Sequence, residues 1–502
     1  MCGVIGTILI GNDNSSYLQA AFDVYKGLLS LQHRGQDASG ICSFNIKNNK
    51  FHIEKGVGPV NSVFSNNTLS KLEGSVSIGH TRYATTGGNG QENAQPLITG
   101  NASGVSMAHN GNIINYHRLK NDIKSKYGIQ LLTDSDLELI LQLWTYYLTK
   151  DKNFQTNEFS FELGINATRQ IFEKLEGAYS VIGILSDKGM FAFRDPNGIR
   201  PLVLGRKISK QGSTKYTIAS ESCALNFLGY ELIRDINPGE FIYIYSFGKI
   251  KSKIVKKEKK QSCMFEWVYF AAAESKIENI SVYTARLNLG KQLGVKLKNS
   301  LKQIDYKLDL VMPVPDTSRT AAISVSEYLK LPYREGLIKN RYIQRSFILN
   351  SQKKREQAVE LKLAPIHSEI NNKNILLIDD SIVRGTTSKK IISLLKKNGA
   401  KNIILGITCP PIKHPCFYGV DFPDEGQLLA NNKSQEEVAN IIGVEHIVFL
   451  DQKDIQNSLN QSNLCLACIN KCYPTKTDEG KNFTLNRQKE LLKNENTRTI
   501  WQ

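Results

Sequence analysis

The chain has 502 residues, of which 41% are hydrophobic and 22% charged, a composition typical of globular proteins with two or three domains. The amino terminus lacks a basic leader, and no apolar run is long enough to span a membrane, so we expect a soluble, cytoplasmic protein and no membrane partner. The net charge of +17 would suit a nucleic-acid partner, but the densest basic run, KSKIVKKEKK at 251–260, has no interleaved aromatic residues. We therefore predict no nucleic-acid partner and interpret this run as a solvated linker.

The first 235 residues predict a domain of short strands separated by glycine and asparagine turns. Strand patterns include SVSIGHTRYA, GVSMAHNGNI, AYSVIGIL, MFAFRD and YTIAS. Helical patterns cover 17–31 and 134–148, the second with Asp134 or Ser135 as its cap. We predict stacked sheets flanked by helices over 2–235, followed by a strand and basic linker over 236–262.

The sequence pattern changes near residue 280. Short, largely β-branched strands (LDLVMPVPD, NILLIDDS, KNIILGIT and VEHIVFL) alternate with helical patterns at 320–329 and 388–398. Strands that alternate with helices indicate a parallel sheet. We place this α/β domain at 263–455 and a C-terminal segment with a polar tail at 456–502.

The opening residues, MCGVIG, raise the question of why a cysteine follows the initiator methionine. Removal of that methionine would leave Cys2 with a thiol and a free α-amine, which is a nucleophile with its own base. Asn110 and Gly111 in HNGNI, which we predict to be a turn after a strand, can form an oxyanion hole. Arg82 suits a carboxylate and Asp136 an ammonium, so together these residues describe a glutamine site.

Each of these patterns alone has an ordinary structural explanation, because Asn-Gly is a frequent turn and a lone arginine is usually a surface ion pair. Together with LQHRGQDASG at 31–40, however, they resemble the glutaminase domain of amidotransferases that have an N-terminal cysteine nucleophile. The resemblance covers 2–235 and implies an αββα sandwich that hydrolyses glutamine to glutamate and ammonia. It implies that Cys2 is nucleophile and base, that Asn110 and Gly111 form the oxyanion hole, and that Arg82 and Asp136 bind glutamine.

The strongest pattern in the second half is NILLIDDSIVRGTTSKKII at 374–392, an apolar strand, two acids, a tight loop and a helix. Asp379 and Asp380 would lie at the carboxyl end of the strand, where open α/β sheets bind ligands. The loop and first helical turn can hold a phosphate through backbone amides and hydroxyls. The residues concerned are Arg384, Gly385, Thr386, Thr387 and Ser388.

This stretch resembles the phosphoribosyl pyrophosphate signature of type I phosphoribosyltransferases. With VPDTSRTAA, GLIKNRYIQRSFI and SQKKREQAVELKL, the chain resembles the amidophosphoribosyltransferase family over nearly its whole length below residue 475. The resemblance implies synthesis of phosphoribosylamine from glutamine and phosphoribosyl pyrophosphate, with Mg²⁺ held by Asp379, Asp380 and a hydroxyl of Thr317 or Ser318. It also implies that Lys339 and Arg341 contact the leaving group and that 339–357 forms a lid.

Two alternative enzymes would use the ammonia differently. A glucosamine-6-phosphate synthase would need sugar-isomerase repeats and an asparagine synthetase an ATP pyrophosphatase loop, and the sequence shows neither. A non-catalytic homologue that senses phosphoribosyl pyrophosphate is a further alternative, against which the intact glutaminase motifs argue. The family resemblance also implies a homotetramer with purine nucleotides as feedback inhibitors.

The nine cysteines, odd in number and unevenly spaced, predict metal binding or catalysis rather than a disulfide framework. By itself, CLACINKC at 465–472 suits a zinc site, a redox dithiol or half of a cluster site. The resemblance extends to the iron–sulfur branch of the family and implies a [4Fe–4S] cluster held by Cys263, Cys416, Cys465 and Cys468. One departure is AAAES at 271–275, where the family has an arginine–proline–acid run.

Overall fold

The computed structural model describes residues 2–11, 19–83, 90–100, 104–151, 159–208, 212–340, 363–422, 424–480, 482 and 484–485. Arg341 lies outside the described residues, as do most of the predicted lid and the end of the C-terminal tail.

Two antiparallel sheets stacked face to face form the first domain. In the described ranges, the first sheet has seven strands, in the spatial order Glu231–Asp235, Val203–Ile208, Thr214–Ala219, Gly3–Ile10, Val76–Arg82, Ala38–Asn45 and Lys50–Val57. The second sheet, counted over the same ranges, has six strands in the order Ile250–Ile254, Glu240–Tyr245, Gly189–Arg194, Gly177–Leu185, Val105–Ile113 and Leu97–Thr99.

Helices cover the outer face of each sheet. Gln19–Ser30 and Ser222–Leu228 pack on the seven-stranded sheet, and Tyr116–Tyr127, Asp136–Lys150 and Phe161–Lys174 form the layer over the six-stranded sheet. Apolar side chains such as Val4, Ile78 and Ile182 fill the space between the sheets. The predicted αββα sandwich is confirmed, and its central strands are buried throughout because each has a helix layer on one side and a sheet on the other.

The prediction that HNGNI forms a turn was wrong. These residues lie inside the strand Val105–Ile113, where Asn110 pairs with Ser180 and Gly111 with Tyr179. A Cβ on Gly111 would lie 2.0 Å from the carbonyl oxygen of Ala178, so the glycine serves the close approach of two strands rather than a reversal of the chain.

The basic run at 251–260 was predicted to be a linker, but its first residues belong to a strand. Ile250–Ile254 pairs with Glu240–Tyr245, and both belong to the six-stranded sheet. The sandwich therefore extends beyond residue 235, and this largely exposed edge strand is held by its backbone pairing with Glu240–Tyr245. The exact limits of the predicted domains remain predictions.

The second domain is built on a parallel sheet. Among the described residues, its strands are Leu310–Pro313, Asn374–Asp379, Asn402–Ile407 and His446–Phe449, in that spatial order. A separate hairpin pairs Leu337–Lys339 with Leu363–Pro365. The longer helices are Val282–Ser300, Arg319–Leu329, Thr386–Lys397, Gln435–Ile442 and Gln452–Leu459. The predicted helices at 320–329 and 388–398 are thus confirmed within two residues.

The C-terminal segment packs against the second domain. Its short strand Leu464–Cys465 pairs in parallel with Ser262–Cys263, and the short helix Ala467–Asn470 follows. Apolar side chains of this segment belong to the same core as the parallel sheet. Of the helices in the described ranges, none combines the length and the hydropathy needed to cross a membrane.

Candidate active site

Cys2 is held at the edge of the sandwich by its backbone and its side chain. Its backbone nitrogen donates to Oδ1 of Asn110 at 3.3 Å, and its carbonyl oxygen accepts from Nε of Arg34 at 2.9 Å. Its thiol lies 3.7 Å from the carbonyl oxygen of Tyr83. These contacts place the thiol and the backbone nitrogen of one residue in a defined geometry, as an N-terminal nucleophile requires.

Asn110 has the geometry expected of an oxyanion donor. Its Oδ1 accepts from Cys2, while its Nδ2 is buried and has no hydrogen-bond partner among the described residues. A buried donor without a partner costs about 1–3 kcal/mol, a cost that a ligand with an acceptor oxygen would recover. The N–H of Asn110 is thus available for an oxygen that develops negative charge near the Cys2 thiol.

Two buried charged residues flank the thiol. Arg82 ends the strand Val76–Arg82, and Asp136 begins the helix Asp136–Lys150. Burial lowers the pKa of Arg82, although the negative charges of Cys2 and Asp136 oppose that effect. Asp136 accepts the backbone N–H of Ile113 at 3.2 Å. The structure therefore places Cys2, Arg82, Asn110 and Asp136 in one region, and their roles in binding and catalysis stay predictions.

For the helix Asp136–Lys150, the structure confirms the position of a predicted cap residue but shows no capping hydrogen bond. Ser135 is the N-cap residue but makes no side-chain capping bond, and the Asp134 carboxylate instead pairs with Lys120 at 2.8 Å. Glu138 reaches back to the backbone N–H groups of Leu132 and Thr133, at 2.8 and 2.6 Å.

Asp379 and Asp380 lie at the carboxyl end of the second parallel strand, as predicted. Both are buried, and burial together with the neighbouring Asp380 charge raises the pKa of Asp379 well above its ordinary value. Burial also raises the pKa of Asp380 to about 6, although Ser381 and Arg286 oppose the rise. Two desolvated carboxylates side by side are stabilised by a cation or by hydroxyl donors.

The loop that follows has the form of a phosphate site. Gly385 has φ +74° and precedes the helix Thr386–Lys397, which has no side-chain cap on its first turn. Arg384, Thr386 and Thr387 are exposed, whereas Ser388 is buried. The uncapped backbone N–H groups of a helix start are a natural anion site.

Two further predicted residues lie on adjoining loops. The hydroxyl of Ser318 donates to the carbonyl oxygen of Val314, whereas Thr317 is partly exposed, so Thr317 is the better candidate for a metal ligand. The ammonium of Lys339 contacts Asp316 at 2.8 Å. Arg341, predicted beside it, is outside the described residues.

Sequence reasoning missed a buried ion-pair cluster between the two domains. Arg34 contacts Glu221 and Glu266, and Glu266 also contacts Arg200. All four side chains are buried. The available signal was Glu266 itself, a lone acid inside the apolar run CMFEWVYF, because a buried charge needs an opposite charge. The departure AAAES adjoins this cluster, since the Ala272 N–H donates to Glu221 at 2.8 Å.

The four cysteines predicted as cluster ligands lie in one region. Cys263 and Cys465 are register partners in adjacent strands, and every pair among Cys263, Cys416, Cys465 and Cys468 interacts electrostatically. Burial raises the pKa of Cys263 to about 11. Within the described part of the chain, no three His, Cys, Asp or Glu side chains are grouped closely enough to hold a single metal ion.

Comparisons with known proteins agree with this two-domain geometry. A family model for the glutamine amidotransferase domain matches residues 80–226, and one for the phosphoribosyl transferase domain matches residues 281–421. The amidophosphoribosyltransferase of Escherichia coli K12 is 38% identical over 92% of this chain and 89% of its own length. That of Methanocaldococcus jannaschii is 39% identical over 95% of this chain and 98% of its own length. The chain belongs to the amidophosphoribosyltransferase family.

Solved structures extend the similarity to the whole fold. The Bacillus subtilis glutamine phosphoribosylpyrophosphate amidotransferase, complexed with ADP and GMP, has a TM-score of 0.81 and 36% identity, covering 95% of this chain and 98% of that one. A structure described as the allosteric regulatory enzyme of purine biosynthesis has the same TM-score and identity, covering 95% and 97%. The amidophosphoribosyltransferase fold is therefore shared along nearly the full chain.

Proposed function

We propose that the chain converts glutamine, phosphoribosyl pyrophosphate and water into 5-phosphoribosylamine, glutamate and pyrophosphate, the first step of de novo purine biosynthesis. The observation that carries this proposal is the unpartnered Nδ2 of Asn110 beside Cys2, in a chain of the amidophosphoribosyltransferase family. A protein that only bound its ligand could use such a donor too, so the thiol of Cys2 beside it is what points to catalysis.

In the glutaminase site, the processed α-amine of Cys2 takes the thiol proton, and the sulfur attacks the side-chain carbonyl of glutamine. Asn110 Nδ2 and the Gly111 N–H stabilise the oxyanion, and the proton then passes to the departing ammonia. Arg82 binds the α-carboxylate of glutamine, and Asp136 binds its α-ammonium. Water hydrolyses the thioester and releases glutamate.

In the transferase site, the loop from Arg384 to Ser388 binds the 5′-phosphate, and Asp379 and Asp380 orient the ribose hydroxyls. Ammonia attacks C1 of the ribose as pyrophosphate leaves, with Lys339 and Arg341 neutralising the leaving group. Because free ammonia becomes ammonium in neutral water, the proposal includes direct transfer between the two sites.

Mg²⁺ fits the transferase site by donor chemistry. Asp379 and Asp380 supply hard carboxylate oxygens and Thr317 a hydroxyl, which are ligands that Mg²⁺ prefers. When bound, the ion would neutralise negative charge on the pyrophosphate.

A [4Fe–4S] cluster fits the thiols of Cys263, Cys465 and Cys468, which are buried, and of Cys416, which is partly exposed. These four thiols support membership of the iron–sulfur branch of the family. Such a cluster takes one thiolate on each iron, so its ligands need not converge on one ion. Burial raises the pKa of the Cys263, Cys465 and Cys468 thiols and so opposes their ionisation, and bound iron would offset that penalty. The cluster would tie the C-terminal segment to the transferase domain.

The remaining elements of the proposal come from the relatives. A family member complexed with ADP and GMP supports purine nucleotides as feedback inhibitors. The family resemblance supports a homotetramer, and the need to keep nine cysteines reduced supports a cytoplasmic location.

Cys2→Ala tests the proposal directly. We expect it to abolish phosphoribosylamine synthesis from glutamine and to leave synthesis from added ammonia close to that of the wild type, because ammonia reaches the second site without the thiol. The measurement is phosphoribosyl pyrophosphate consumption with either nitrogen source.

Asp379→Asn is the complementary variant. It should cripple synthesis from both nitrogen sources and keep part of the glutamine hydrolysis.

Equal loss of both syntheses in Cys2→Ala would contradict the two-site model.

A further inference from the structure

Arg34 joins the nucleophile to the second domain through one side chain. Its Nε donates to the carbonyl oxygen of Cys2 at 2.9 Å. Its two terminal nitrogens donate to the carboxylate of Glu266 at 3.0 and 2.9 Å, and one of them also contacts Glu221. The guanidinium is fully buried, so these contacts replace water entirely.

The two glutamates that hold Arg34 are themselves tied across the domain boundary. Glu266 lies in the π-helical turn Glu266–Phe270, which belongs to the second domain, and also contacts Arg200 at 3.4 Å. Glu221 lies in the first domain but accepts from the N–H of Ala272 at 2.8 Å and the hydroxyl of Ser275 at 2.7 Å.

Arg200 continues the chain of contacts to the C-terminal part of the second domain. Its Nε donates to the carbonyl oxygen of Tyr418 at 2.7 Å. Two arginines and two glutamates thus form a charge-balanced, buried cluster that begins at Cys2 and ends near Cys416. A buried pair of this kind holds its members in one geometry, because removing either partner leaves an unpaired charge.

We propose that Arg34 is a positioning residue for Cys2, and that Glu266 of the second domain holds it in place. The inference rests on the proposed glutaminase function and goes beyond it. Docking of the second domain then sets the direction of the Cys2 backbone, and with it the direction of the thiol and the α-amine. The proposed glutaminase function assigns the two ends of glutamine to Arg82 and Asp136, so Arg34 and Glu266 are given no contact with the substrate.

Arg34→Lys is the first test, because lysine keeps the charge but cannot bond Cys2 and Glu266 at once through a planar fork. We expect kcat for glutamine hydrolysis to fall about tenfold or more, since small displacements of a nucleophile have such effects. The KM for glutamine and the rate of synthesis from added ammonia should change by no more than about twofold, because Arg34 is assigned no contact with either substrate. Glu266→Gln should shift the same parameters in the same direction.

Alkylation of Cys2 by iodoacetamide, followed by mass spectrometry, gives a readout that needs neither substrate. We expect slower alkylation of Cys2 in Arg34→Lys than in the wild type. The matched control is Arg234→Lys, since Arg234 also donates to one glutamate, Glu240, through both terminal nitrogens, but its described contacts include neither Cys2 nor the buried cluster.

Unchanged kcat and alkylation in Arg34→Lys would overturn the inference, as would equal losses in Arg234→Lys. If the wild type made no phosphoribosylamine from either nitrogen source, the proposed function would fail, whereas the alkylation comparison would still decide the positioning role.

Discussion

At the scale of single residues, buried polar groups near the amino terminus fall into two kinds. Asn110 keeps an unpartnered N–H, which suits a donor that binds only when the reaction develops charge. Arg34 and Glu221 are fully paired, which suits groups that hold the site still. In these low-dielectric surroundings, an unpartnered N–H such as that of Asn110 costs free energy, whereas a paired charge such as that of Arg34 is held rigidly.

Glu221 makes the stability of this region depend on pH. Burial alone would raise the pKa of Glu221, but His33 and Arg34 outweigh burial and hold that pKa well below its ordinary value of 4.5. A carboxyl group with a lowered pKa stabilises the folded state fully above its unfolded pKa, and this contribution declines as the pH falls below that value. We expect Glu221→Gln to lower the free energy of unfolding by about 3 kcal/mol at neutral pH.

Urea unfolding at a series of pH values measures this difference. The gap between wild type and Glu221→Gln should shrink as the pH falls below about 4.3. Glu231→Gln, which changes an exposed glutamate of the same domain, is the control and should show no such gap. A gap that widens in acid would contradict the assigned direction of the pKa shift.

At the scale of elements, the start of the helix Thr386–Lys397 depends on one glycine. Gly385 has φ +74°, and a Cβ there would lie 2.5 Å from Cδ2 of Leu429. Gly443, which ends the helix Gln435–Ile442, has φ +88° but faces open space. Substitution of Gly443 therefore introduces backbone strain alone, whereas substitution of Gly385 introduces strain together with a steric clash.

We expect Gly385→Ala to raise the KM for phosphoribosyl pyrophosphate about tenfold in synthesis from added ammonia, because the clash moves the phosphate-binding amides. Gly443→Ala should lower stability by about 1 kcal/mol and leave that KM unchanged. Steady-state kinetics with thermal unfolding of both variants checks this, and an unchanged KM in Gly385→Ala would exclude the phosphate role of the loop.

At the scale of the whole molecule, the two domains and the C-terminal segment are joined by a few specific contacts. The side-chain amide of Asn112 in the first domain donates to the carbonyl oxygen of Phe417 in the second at 2.9 Å. Cys465 of the C-terminal segment lies in register beside Cys263. A cluster bound by both would therefore fasten the segment to the catalytic body.

Protein purified without oxygen should be brown and contain about four irons per chain. Cys416→Ser should lose iron and release the C-terminal segment to proteolysis, because one ligand and its tether are removed. Cys472→Ser, which changes an exposed thiol, should retain both iron and protection. Colourless anaerobic protein with stoichiometric zinc would refute the cluster.

Much of the fold followed from local patterns. Strand-like runs predicted several strands of each domain, and strand–helix alternation predicted the parallel sheet with Asp379 and Asp380 at its carboxyl edge. The strand pattern GVSMAHNGNI is confirmed, but the turn predicted within it was wrong, because the turn propensity of Asn-Gly is a weak preference that pairing with the strand Gly177–Leu185 overrides.

By itself, the sequence determined which side chains are the candidates for the chemistry, since Cys2, Arg82, Asn110, Asp136 and the acid pair occur in recognisable local motifs. Only the tertiary structure decided which buried charges surround Cys2, because Arg34, Glu221, Glu266 and Arg200 are far apart in the chain and are paired only in the folded protein. A buried charge is stable only beside its partner, and folding alone selects which distant residues become partners.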